Sequence, residues 1–575
     1  MERRVLLAVL LSFVVLYGFQ LLFPPPPEPK PAAPGQTAAP HTTAPAVTQG
    51  PAGRQAEAVP GQAAPIPPTG APAVDARDVV VENPAVRAVF TTRGAALKSW
   101  RLKKYHDAAG QPLELVASHA PVGAPLPFTL AADEAAVSNT LASAVFTPSA
   151  DALSIDGSTR TLQFEFKDGN GIDARKTFTF AADRPYSIGL TADVKRAGQP
   201  LPVTVAWGPA IGSGIVPKSR TYNPAPQPVF YRDGKVSRVS PDKIAAQPVQ
   251  EGTFGFAGVE DHYFLAALVT PRQPLRVTYQ AVAVSVPDAP DGAHYVAWSA
   301  RFPAPPQDET FFFGPKDFDV LVAVNRDLTH AIDFGMFSWL VVPLLRSLKW
   351  INGYVGNYGW SVVLLTVLIN LVMFPLRHKS VVSMRKMQEI QPEMKAIQDR
   401  YAKLKMNDPA RSKMNVELMN LYRERGVNPA SGCVPMLLTF PVLIAFYSML
   451  SVAIELRGAP FIGWIRDLSA PDPYYVLPIL MGLSMFVQQR MTPSTADPVQ
   501  QKMMLVMPVV LTVTSFWWAS GLLLYWTTSN IWGIGQQMIT NRLIGPAPQR
   551  TVRPPAERRV KRVGGGRTDQ AKGHQ

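Results

Sequence analysis

Trp360-Ser-Val-Val-Leu-Leu-Thr-Val-Leu-Ile-Asn-Leu-Val-Met-Phe-Pro-Leu376 decides the fold class. The run carries no charge and ends against Arg377-His-Lys379. An uncharged apolar stretch near 20 residues long is the signature of a membrane-spanning helix. Its two polar interruptions, Thr366 and Asn370, are one helical turn apart and share a face. Four similar runs follow: Val434–Ile454, Tyr474–Gln489, Met503–Phe516 and Ser520–Asn541. One precedes, Val5–Phe23, behind Met-Glu-Arg-Arg. Six spans are therefore expected. Several are short: sixteen helical residues reach only about 24 Å, against a hydrocarbon core of roughly 30 Å. Either the bilayer thins locally or flanking residues prolong the helices.

Charge sets the orientation. The 575 residues carry a net +14, yet residues 5–376 sum to zero. The excess sits at residues 377–425 (+6), the tail 542–575 (+7) and two smaller segments that alternate with the rest across the apolar runs. This positive-inside pattern puts both termini in the cytoplasm and residues 24 to about 352 outside it. Only 17% of residues are charged and 47% are hydrophobic, where soluble chains carry about 25% charged. A purely soluble protein and a wholly disordered one are both excluded. A single cysteine, Cys433, allows no intramolecular disulfide and no cysteine-based metal site.

The chain divides accordingly. Residues 1–23 read as an uncleaved signal anchor, because Pro24–Pro27 follow the apolar run with no small-residue cleavage site. Residues 24–74 are a Pro- and Ala-rich linker. Residues 75–325 read as a large β-sandwich. There Leu162-Gln-Phe-Glu-Phe166 and Thr177-Phe-Thr-Phe180 alternate around the turn Asp168-Gly-Asn-Gly171, as in a hairpin. At 326–352 the period becomes three and four: Phe334, Phe337, Val341, Leu344, Leu348 and Ile351 form one stripe, an amphipathic helix at the membrane surface. Residues 353–541 form the membrane core, with a basic, methionine-bearing helical hairpin at 378–425 turning near Asp408-Pro409. The basic tail 542–575 suits acidic lipid or RNA phosphate, and otherwise serves as a topogenic charge block.

No P-loop, dinucleotide motif or metal-ligand spacing is present. Glu260-Asp-His262 is the one tight acid–histidine cluster of the β region. It reads as structural or surface, since a catalytic pair needs a polar cleft and a positioned partner. The polar residues of the apolar runs carry more. Thr366, Asn370, Thr439, Ser448, Ser451, Thr512, Thr514, Ser515, Trp526, Thr527, Thr528, Asn530, Gln536 and Gln537 all need partners or water within hydrocarbon. Singly, a Ser or Thr reads as glue between helices. As a set they read as a partly hydrated groove that could hold polar parts of a passenger chain.

Several stretches resemble the YidC membrane-protein insertases, the bacterial branch of the Oxa family, in the Gram-negative form with a large periplasmic domain. They are Asn428-Pro-Ala-Ser-Gly-Cys-Val-Pro435, Glu455-Leu-Arg-Gly-Ala-Pro-Phe461, Trp464-Ile-Arg-Asp-Leu-Ser-Ala-Pro-Asp-Pro-Tyr-Tyr475, Leu477-Pro-Ile-Leu-Met-Gly482, Gln500-Gln-Lys-Met-Met504 and Ser520-Gly-Leu-Leu-Leu-Tyr525. Thr92-Arg-Gly-Ala95 and Phe313-Gly-Pro-Lys316 add weaker support from the β region. The resemblance implies a multi-domain inner-membrane protein, with an N-terminal anchor, a five-helix core, a periplasmic all-β supersandwich similar to sugar mutarotases, and a cytoplasmic hairpin that recruits clients. It implies a groove open to cytoplasm and lipid, and an insertase and chaperone rather than an enzyme, with no cofactor or metal. The partners implied are nascent membrane proteins, the Sec translocon, membrane lipids and, through the basic tail, ribosomes, with no DNA. By the same resemblance Thr366, Asn370, Thr439, Tyr525 and Trp526 line the groove. Asn370 stands where the family usually has an arginine, and Trp526 where it has a tyrosine. Arg377, about 10 Å nearer the cytoplasm along an ideal helix, is expected to supply the missing charge from the groove mouth. Two alternatives are a polytopic transporter, which would favour internal repeats with broken helices, and a membrane-tethered carbohydrate enzyme.

Overall fold

The computed structural model describes residues 75–544 apart from 108, 118, 119, 122, 170, 212–225, 284–293, 402–409, 428–433 and 492–497. The expected anchor, the linker to residue 74, the tail beyond 544 and Cys433 lie outside the described residues. The hairpin read from alternation is present: Arg160–Lys167 pairs antiparallel with Ile172–Phe180, setting Leu162 opposite Phe178. Every second residue of the second strand is buried, as one covered sheet face requires. This pair belongs to a ten-stranded sheet, flanked by two five-stranded sheets. One of these has His294–Phe302 between Leu275–Ala283 and Val203–Ala210. Aromatic rings fill the space between the layers: Phe128 meets Phe178, Trp207 and Phe311 at centroid distances of 5.2, 4.9 and 5.1 Å. Trp100 donates Nε1–H to the Phe313 carbonyl at 2.8 Å, tying the first sheet to the large one.

Lys176, on the covered face, has no exposed surface. Its Nζ donates to the carbonyls of Gly94 (2.6 Å), Ala95 (3.0 Å) and Phe128 (2.7 Å). All three acceptor residues have positive φ, at 65°, 44° and 68°. For Ala and Phe that is a strained backbone, and the buried Nζ ties the three carbonyls to one point.

The helices number α1 (Ala135–Ser143), α2 (Phe318–Val324), α3 (Ser338–Val355), α4 (Tyr358–Glu389), α5 (Gln391–Tyr401), α6 (Ala410–Glu424), α7 (Val434–Val452), α8 (Val476–Met491), α9 (Pro498–Thr514) and α10 (Ser520–Ile544). Helix α3 buries Val341, Leu344, Leu345, Leu348 and Ile351 against α4 and α7, and exposes Trp339, Trp350 and Tyr354. Helix α4 runs through Pro375 without a break, for 32 residues or about 48 Å. The basic region therefore begins as a prolongation of this helix. Its two shorter arms, α5 and α6, are joined by Arg400–Glu417 (2.7 Å), and Arg425–Glu393 (2.7 Å) ties the end of α6 to α5. Among the described residues, α4 alone is long and apolar enough to cross a membrane by itself, and Phe440–Val452 and Leu505–Trp517 are shorter apolar stretches. Close approach of α8 and α9 depends on a missing side chain: a Cβ on Gly482 would sit 1.9 Å from Thr512 Oγ1.

Candidate functional site

Helices α4 and α10 pack along much of their lengths, with α7 and α8 alongside. Polar side chains collect on the α4–α10 seam. Thr366 is fully buried, and its hydroxyl donates back to the Val362 carbonyl at 2.6 Å. One turn on, buried Asn370 donates Nδ2–H to the Thr366 carbonyl at 2.8 Å. Its Oδ1 is left to accept, and Arg377 Nη1 donates to it at 2.8 Å.

That contact changes the expected electrostatics. The Cα rise alone placed Arg377 at the mouth of the site. Helical side chains lean toward the N-terminus, and an arginine is long enough to reach back two turns. The guanidinium therefore lies beside Asn370. Two residues together set a positive charge next to the position where the sequence shows only a neutral amide.

Tyr525 on α10 is buried and stacks on Phe446 of α7 at 4.2 Å. Trp526 points elsewhere on the same helix, against Trp518 at 5.7 Å. Thr439 falls within α7, but its side chain lies outside the described residues. Thr366, Asn370 and Arg377 are thus joined in one chain of hydrogen bonds.

Other polar contacts of these helices involve Gln536 and Asn530, which belong to the polar set read from sequence, and His378, Arg385, Thr540 and Asn541, which sequence did not single out. His378 Nδ1 and Thr540 Oγ1 are 3.2 Å apart, Arg385 donates to Asn541 Oδ1 at 3.2 Å, and Gln536 donates to the Phe374 carbonyl at 3.4 Å. Asn530 reaches across to Ser484 on α8 at 3.1 Å. The signal for His378 and Arg385 was present in their seven-residue spacing, but they read as part of a solvated basic hairpin. Thr527 Oγ1, Trp532 Nε1 and Gln536 Oε1 are buried on α10 without a protein hydrogen bond. The described residues hold no cluster of His, Cys, Asp and Glu suited to a metal ion. The seam can exchange hydrogen bonds and offer charge.

Two family models match the chain. One is described as 60Kd inner membrane protein and matches residues 350–547; the other is the YidC periplasmic domain, matching residues 78–347. Among curated proteins, the membrane protein insertase YidC of Geobacter metallireducens is 36% identical, covering 95% of this chain and 99% of that one. The namesake from Geobacter sulfurreducens is 38% identical, with the same coverage on both sides. Among solved structures, an active YidC insertase with its first transmembrane domain resolved is 17% identical, covers 80% of this chain and 92% of its own, and has a TM-score of 0.33.

Proposed function

We propose a route for insertion from the premise that this chain belongs to the YidC family of membrane protein insertases. It inserts proteins into the inner membrane, and its β region is the periplasmic domain of that family. The proposal is that a client's polar segment crosses along the α4–α10 seam while its apolar segment passes into lipid. Six spans with both termini cytoplasmic, the anchor 1–23 included, complete the proposed topology.

The observation that carries this is the hydrogen-bonded chain Thr366–Asn370–Arg377 along α4, buried at Thr366 and Asn370 and part-buried at Arg377. A backbone group stripped of water in hydrocarbon costs several kcal/mol. A seam that already holds amide, hydroxyl and guanidinium groups offers replacement partners, so the crossing segment exchanges hydrogen bonds instead of losing them. Arg377 adds attraction for acidic segments, and the low dielectric strengthens it. Trp526, part-exposed, supplies an apolar surface along which a segment can slide, while buried Tyr525 packs α10 on Phe446 of α7. Nothing in this route makes or breaks a covalent bond. The hairpin α5–α6, the neighbouring basic surface and the tail are proposed to receive clients from the cytoplasm, with the Sec translocon and the ribosome as partners.

The test is insertion into proteoliposomes holding only this protein. The client is a small two-span protein with a short acidic loop, and insertion is scored by protease protection. Protection above that of empty liposomes is expected. Arg377→Gln should lower it at least threefold for the acidic loop and leave a neutral-loop client within twofold. Equal loss for both clients would overturn the role given to the charge. No protection with intact protein would overturn autonomous insertion.

A further inference from the structure

Three contacts join the periplasmic domain to the end of one helix of the membrane core. The turn after the buried strand Phe256–Glu260 presents His262, whose Nε2 lies 2.7 Å from the carbonyl of Ser451. Ser451 is in the last turn of α7, where helix carbonyls have no partner within the helix. Only an N–H can bond a carbonyl, so His262 donates there. Burial pushes the imidazole down to about 4, with Lys316 nearby adding to the shift, so it is neutral at physiological pH. The second contact is Arg457, just past α7, whose guanidinium lies over the rings of Tyr263 (6.0 Å) and Phe264 (5.2 Å). In the third, Lys349 of α3 bridges Asp317 (3.2 Å) and Asp319 (2.6 Å), at the end of the β domain, to Glu455 (3.2 Å). The turn itself is stiff. Asp261 Oδ1 accepts from the Tyr263 and Phe264 amides at 2.8 and 2.6 Å, and Glu260 pairs with Arg238 (2.6 Å) and Lys316 (3.3 Å).

We infer that the 260–264 turn of the periplasmic domain caps the C-terminal end of α7 and thereby positions that helix in the wall of the client-binding seam. The link to the seam is direct: Phe446, little more than one turn before Ser451, is the ring on which Tyr525 stacks. A rigid β domain thus sets how far α7 stands from α10. His262 and Arg457 are positioning residues, and neither contacts the Thr366–Asn370–Arg377 chain. The consequence for insertion rests on the seam reading above, whereas the cap itself does not.

The experiment uses the full chain in lipid nanodiscs and proteoliposomes, with two readouts: amide deuterium exchange over residues 447–454, and client insertion. His262→Phe keeps the ring volume and removes the donor. It should raise exchange in this segment about tenfold, leave exchange in the strands Arg160–Lys167 and Ile172–Phe180 unchanged, and lower insertion at least threefold. His262→Gln, which restores a donor, should recover most of both. Arg457→Leu acts from the α7 side and should loosen the same segment if His262→Phe does not fold. Unchanged exchange in 447–454 for both variants would overturn the cap, whether or not the protein inserts clients. Faster exchange with wild-type insertion would overturn the positioning role.

Discussion

At Lys176 three hydrogen bonds converge on one nitrogen in the dry interior of the β domain. Period two puts Lys176 on the covered face with Phe178 and Phe180, but a lysine by residue type reads as solvent-facing. The Thr92-Arg-Gly-Ala95 motif did stand out, and its Gly94 and Ala95 carbonyls are two of the three acceptors. Lys176→Met keeps the volume but orphans three buried carbonyls, each worth about 1–3 kcal/mol. Thermal unfolding of the full chain should fall by about 3 kcal/mol or more. Burial pushes the lysine down to about 7 from 10.5. Between those values the unfolded chain holds a proton that the folded chain sheds, so stability should rise with pH across that window and fall as pH drops through 7. The Met variant should lack that rise. Asn370 and Arg377 teach a related lesson. Their spacing was legible, but the place of the charge depended on which way a long side chain leans.

Elements were more legible than their partners. The apolar runs correspond to α4, α7, α8, α9 and α10, with ends shifted by up to five residues except for the end of α4, which lies 13 further on, since hydropathy sees the hydrocarbon and not the cap. Charge ends the apolar run at Arg377, yet α4 continues through Pro375 to Glu389, and Arg385 on this extension reaches Asn541 of α10. Strand alternation gave the 160–180 hairpin. The order of strands within the sheets and the α4–α10 pairing come from contacts distant in sequence, which local periodicity does not encode. Helix contacts in a bilayer favour small residues, and Gly482 is one. Gly482→Val would drive its side chain into Thr512 and part α8 from α9. The expected outcome is a loss of about 1–3 kcal/mol, read as a lower unfolding temperature in detergent, whereas Gly535→Ala, with open space around its Cβ, should be near neutral.

For the whole molecule, the decisive unit is the junction between β domain and helices. The described residues from Ala76 to Ile544 group together, and the Lys349 knot shows how charge supports that union. Burial alone would depress the Lys349 pKa, but the hydrogen bond to Asp319 and the charges of Glu455 and Asp317 hold it above its ordinary range. Burial raises Glu455, with Lys349 opposing. Lys349→Met therefore leaves three carboxylates facing one another without a cation. It should destabilise the chain by about 1 kcal/mol or more at pH 7. The deficit should shrink as pH is lowered, because Glu455, already raised by burial, takes up a proton and the repulsion fades. A deficit independent of pH in thermal unfolding would speak against the knot. The cap at Ser451 also has a meaning in time. His262 precedes Ser451 by 189 residues, which at roughly 5–20 residues per second of synthesis is about 10–40 seconds. Sandwich-type β domains fold within milliseconds to seconds. Once exported, the β domain has time to finish its fold before the helix that it caps has been translated, so the newborn protein carries its own assembly jig, made first and waiting.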